Sequence, residues 1–140
     1  MKLITSPKSV YLLNAGIEVL HSQSNEWLSE IAFWRDETAF FYALVVNKTL
    51  TSVPIAAKEI LQDIEKELVS INSGELVDLQ KEVMKHEMNL SHLLKHQNDE
   101  EEEDYRREHR LMEIKFYEME RRFKTLKKVI FGLVKLTNKK

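Results

Sequence analysis

Two histidines, His86 and His109, are the side chains of this sequence best placed to do chemistry. Each falls on an apolar periodic seam and has a glutamate four positions away: Glu82 before the first, Glu113 after the second. That spacing sets imidazole and carboxylate on adjacent turns of one helix face. With Glu37 from an earlier segment, two imidazoles and three carboxylates form a donor set that suits Fe, Mn or Zn. Di-iron sites in helical bundles use Glu-x-x-His. The spacing here is four and the order is reversed between the two segments, so a mononuclear site is easier to build than a dinuclear one. The alternative is a pair of core histidines hydrogen-bonded to each other, to Glu, or to Tyr42 or Tyr105, because buried polar groups need partners. His92 and His96 lie off the seam marked by Leu90 and Leu93 and read as surface residues.

Other chemistries find no support. The chain has no cysteine, which excludes disulfides, thiol catalysis and zinc-thiolate sites. It has no nucleophile triad, phosphate-binding glycine loop or nucleotide motif. The acidic run Asp99–Asp104 lacks the alternating ligands and central glycine of a calcium loop. It reads as a helix start, favoured by the macrodipole and by the pairs Glu102–Arg106 and Glu103–Arg107.

The elements that must position the histidines are long amphipathic helices. Only 3 glycines and 2 prolines punctuate 140 residues, and 31% of the residues are charged. That composition suits solvated helices and one domain. Tyr105, His109, Met112, Phe116, Met119, Phe123, Leu126, Ile130 and Leu133 alternate in steps of four and three, a seam of about four heptads. Leu13, Ile17, Leu20, Ser24, Trp27, Ile31, Trp34, Thr38, Phe41 and Val45 keep the same spacing, with the polar patch Ser22–Asn25 as a weak point. Between them Leu61, Ile64, Leu68 and Ile71 are followed by Leu76, Leu79, Val83, His86, Leu90 and Leu93. The phase slips by one residue at Asn72–Glu75, where Gly74 and a capping-box spacing suggest a stop and a new start. The expected helices are about 8–48, 54–71, 74–97 and 99–136, in a single all-α domain.

Antiparallel neighbours should show a constant sum of position numbers. A sum of 195 pairs the last two helices, including His86 with His109; sums of 102 and 147 pair the others. The expected fold is therefore an antiparallel up-down-up-down four-helix bundle, with His86 and His109 in one layer with Phe41 and Leu61. In that fold the long first and last helices form a coiled-coil-like extension. Leu13, Ile17 and Leu20 face Leu133, Ile130 and Leu126 in a two-helix arm, leaving Val10, Val129 and Phe131 exposed for a partner.

Charge is unevenly spread: residues 105–140 carry 12 basic and 4 acidic side chains. A basic stripe containing Arg121, Lys124 and Lys128 offers nonspecific attraction to nucleic acid. The balance at pI 6.2 and the lack of a recognition motif argue against that partner. No segment has the apolar length of a membrane span, and no signal peptide is expected, so a cytoplasmic protein is the default. The leading expectation is a non-enzymatic bundle that works by protein–protein association, with itself as a homodimer or with another helical protein. A metal-binding bundle comes second and nonspecific nucleic-acid binding third.

Overall fold

The computed structural model describes residues 16–51, 53–96 and 99–137. Four α-helices follow one another: α1 (Ile17–Thr49), α2 (Ile55–Ser70), α3 (Leu76–His96) and α4 (Asp99–Thr137). A π-helical turn, Ile71–Glu75, joins α2 to α3. The expected all-α character holds, and no strand occurs among the described residues. Helix α1 starts after Gly16, whose backbone is extended, and it continues through Ser22–Asn25 without a break. Buried hydroxyls in its seam turn back on the helix. Ser24 donates to the Leu20 carbonyl at 3.2 Å and Thr38 to the Trp34 carbonyl at 2.6 Å. That i−4 bond satisfies a hydroxyl inside a core. The acidic run opens α4 as expected, with Arg106 3.0 Å from Glu102.

The four-helix topology needs correction. Ser70, Ile71 and Leu76 all have right-handed helical backbone angles, so α2, the π turn and α3 form one continuous rod. The one-residue slip between Ile71 and Leu76 is real, but it is absorbed by a wider turn rather than a reversal. A π turn holds one extra residue, so Ile71 and Leu76, five apart, both remain on the buried stripe, at 1% and 0% exposure. Reversing the chain here would have cost a loop, whereas the wider turn keeps every backbone group in a helix. The described residues thus form three rods, up, down and up, with α1 and α4 each antiparallel to the middle rod.

One consequence runs through the rest of the structure: α1 and α4 are parallel. Gln23 meets Glu113, Glu37 meets Lys127 and Phe41 meets Phe131, each pair 90 positions apart. Among the described residues, Ile17 and Leu20 therefore do not face Leu126, Ile130 and Leu133 in a two-helix arm. Leu20 packs with Leu90, Leu93 and Tyr105 at one end, with Ile17 against them. Leu126 and Ile130 lie in the main core with Phe41 and Val45, and Leu133 packs onto it. Val129 and Phe131 are about half exposed. Val10 and Leu13 lie outside the described residues. Each fully buried Leu, Ile or Phe in these seams contributes about 1.5–3 kcal/mol from burial, and that gain holds the rods in register.

Candidate functional site

The α3–α4 hairpin has the register predicted from its seams, and it brings the two histidines together. His86 Nε2 lies 2.9 Å from His109 Nδ1, with both rings buried. From this pair a chain of hydrogen bonds crosses the bundle. His86 Nδ1 lies 2.5 Å from Glu108 Oε1, and Asn89 donates to the same carboxylate at 3.1 Å. On the other side His109 Nε2 lies 2.7 Å from Gln23 Oε1, and the Gln23 amide donates to Glu113 at 3.1 Å. The chain reads Glu108–His86–His109–Gln23–Glu113, with a carboxylate at each end.

Counting protons assigns the tautomers. Gln23 spends its NH2 on Glu113, so its carbonyl accepts from His109 Nε2–H. A neutral His109 then accepts at Nδ1 from the Nε2–H of His86, and His86 Nδ1 faces the Glu108 carboxyl group. Burial pushes His109 down to about 3, with His86 and Arg106 adding to the effect. Aromatic rings wall the layer. Trp27 stacks on His109 at 4.5 Å and on Phe116 at 4.9 Å. Tyr105 lies parallel to His86 at 4.2 Å. The Tyr105 hydroxyl is buried beside Ser24, whose own hydrogen goes to Leu20, and no bond of ordinary geometry completes it. Burial raises that phenol's pKa, with the Glu87 charge adding to it.

The five residues considered as metal ligands are only partly gathered. Glu113 reaches the histidines through Gln23. Glu82 turns outward to Lys115 at 2.6 Å. Glu37 pairs with Lys127 at 3.2 Å, 18 positions along α4 from His109, or about 27 Å at 1.5 Å per residue. Parallel α1 and α4 carry Glu37 away from the layer, and Phe41 goes with it to pack against Phe131. Among the described residues no three His, Asp or Glu side chains are placed to hold a metal ion. All four ring nitrogens of the pair are engaged in hydrogen bonds, so a metal would have to displace them.

Gln23 and Glu108 were not singled out from the sequence. Gln23 belongs to the polar patch that interrupts the α1 seam; that patch is the α1 side of the histidine layer. Glu108 adjoins His109 and faces α3 across the hairpin, which spacing on one helix does not reveal.

A second feature lies on α1 and α4. Phe33 and Phe40, seven apart on α1, are 61% and 62% exposed; Tyr117 and Phe131 on α4 are 60% and 49% exposed. Near one end, Glu26, Glu30, Glu113 and Glu120 line a cleft of about 230 Å³ between the helices. Burial raises the pKa of Glu30, and the charges of Glu120 and Glu26 add to it. Further along α4, Arg121, Lys124 and Lys128 are exposed, with Arg121 5.8 Å over the Tyr117 ring. Comparison with protein-family models, curated proteins and solved structures gave no match. No helix among the described residues is long and apolar enough to cross a membrane.

Proposed function

We propose that the protein is a non-enzymatic helical module that works by protein–protein association, with the α1–α4 face as its contact surface and a helical partner on it. One observation carries this reading: Phe33 and Phe40 on α1 and Tyr117 and Phe131 on α4, two helices in contact, present four rings each about half exposed or more. Clustered exposed rings on a small protein mark interaction surfaces, and aromatic anchors supply much of the energy of such contacts. A groove between two parallel helices is also where a further helix adds most readily, laying its apolar stripe into the gap.

The histidine layer supports the same reading. A buried polar chain that must be fully satisfied penalises any slip of one helix past another, which keeps the outer face in one shape. The basic stripe taken alone would supply only nonspecific attraction to nucleic acid. The test is a photo-reactive residue placed at position 33 or 40, with position 88 as control, since Met88 is 71% exposed on α3. Covalent adducts in the host cell are expected from 33 and 40 and not from 88. If neither 33 nor 40 yields an adduct, the proposal falls.

A further inference from the structure

Three polar rungs join α1 to α4, each between residues 90 positions apart. In the first, the Gln23 amide donates to Glu113 at 3.1 Å; in the third, Glu37 pairs with Lys127 at 3.2 Å. The second rung, midway between them on both helices, sets Glu30 against Glu120. These two carboxylates share one cleft with Glu26 and Glu113, and no lysine or arginine is among its described lining residues. The chain therefore satisfies the outer rungs and leaves like charges opposed at the middle one. Burial raises the pKa of Glu30, and the charges of Glu120 and Glu26 add to it. The cleft walls also carry three rings, those of Trp27, Phe116 and Tyr117.

The groove continues beyond the cleft. Phe33 and Phe40 follow Glu26 at seven-residue steps, which keep to one side of a helix, and both are exposed. Across from them Phe131 packs on Phe41, whose ring also touches Phe40. Resting on the association reading above, we propose that a partner completes the middle rung. A helix of another protein lies along this groove, with a lysine or arginine over Glu30 and Glu120 and apolar residues against Phe33 and Phe40.

The cleft selects such a side chain. The apolar stem of a lysine or arginine packs on rings while its head reaches the carboxylates, and a cation over an aromatic face gains further. An ion pair at partly buried glutamates is screened less than one at exposed glutamates. Apolar residues at helical spacing on the same partner then reach the exposed phenylalanines. From Gln23 to Phe40 the groove is about 26 Å long at 1.5 Å per residue, room for about five turns of helix.

The test uses the full chain and two synthetic amphipathic peptides of about five helical turns, one of leucine and lysine and one of leucine and glutamate. Fluorescence anisotropy should show binding of the leucine–lysine peptide and none of its acidic counterpart. Glu120→Lys completes the rung within the chain. It should raise the melting temperature by about 2–5 °C and weaken the leucine–lysine peptide about tenfold or more. Phe33→Ser with Phe40→Ser should weaken it by a similar factor, with helicity by circular dichroism unchanged. Glu103→Lys makes the same charge change in the acidic run, on a side chain 81% exposed, and should weaken the peptide by no more than about twofold. Equal losses from Glu120→Lys and Glu103→Lys would reduce the binding to net charge and overturn the proposal. Calcium or manganese bound by the wild-type chain and lost with Glu120→Lys would give the rung to a metal and also overturn it. Cross-linking at positions 33 and 40 separates the two levels. Adducts whose cross-linked segment carries no lysine or arginine, or is a second copy of this chain, would keep the association reading while removing this partner, and no adducts would remove both.

Discussion

His86 Nε2 lies 2.9 Å from His109 Nδ1 in a layer walled by Trp27 and Tyr105. Each histidine satisfies the other, and each has a second partner that leads outward to a carboxylate. Such a chain specifies alignment strongly and adds little net stability, because its gains repay desolvation.

Substitution of the pair should therefore be non-additive. His109→Leu alone leaves His86 Nε2 and the Gln23 carbonyl without their buried partner and should cost about 2–3 kcal/mol. His86→Leu alone leaves His109 Nδ1 without its partner and takes one bond from Glu108, and should cost a similar amount. Adding the second substitution should recover part of the loss, since the layer then becomes apolar. Urea unfolding of the three variants measures the coupling; strict additivity would show that the hydrogen bond between the rings carries no weight.

Acid should weaken the fold through His109. In the unfolded chain this imidazole takes a proton below about 6.5, and in the folded chain only below about 3. Between those values the unfolded state binds more protons, so stability is fully present above pH 6.5 and falls on acidification. The slope is at most about 1.4 kcal/mol per pH unit, or about 2 kcal/mol between pH 6.5 and 5. His109→Gln should be less stable at pH 7 but should lose about that much less over the same interval. Parallel slopes for the two proteins would contradict the assignment of His109 as the buried neutral ring.

Tyr105→Phe should be neutral or stabilising by about 1 kcal/mol, an unusual sign for a truncated core residue. The hydroxyl is buried with no completed hydrogen bond, so its removal relieves a desolvation cost while the ring keeps its stack on His86. A loss beyond about 1 kcal/mol in thermal or urea unfolding would mean that the hydroxyl has a strong partner.

The π turn makes two predictions at Gly74. A Cβ there meets nothing within 4 Å, so Gly74→Ala should stabilise by about 0.5–1 kcal/mol, the ordinary helix propensity difference. Deleting Gly74 reduces the step from Ile71 to Leu76 from five to four and restores an uninterrupted 4-3 seam, so the chain should still fold. Deleting Lys81 instead rotates one part of the α3 stripe away from the core and should abolish cooperative unfolding. Melting curves followed by circular dichroism distinguish the two deletions.

Much of this protein was legible in order of residues alone. The α1 seam from Leu20 to Val45, the α3 seam from Leu76 to Leu93 and the α4 seam from Tyr105 to Ile130 are all buried, because periodicity on a helix fixes which face turns inward. The α3–α4 hairpin register was legible too, since a short connection leaves an antiparallel pair little freedom. What the order of residues left open was how the phase slip after Ile71 is resolved. A reversal and a widened turn satisfy the local pattern equally well, and the choice rests on contacts with α1 and α4, far away in the chain. That one non-local choice made three rods instead of four and turned α1 parallel to α4. It sent Glu37 to Lys127, brought Gln23 to His109 and set Phe41 against Phe131. Local periodicity determined what each helix buries; packing between distant segments decided which helix it is buried against.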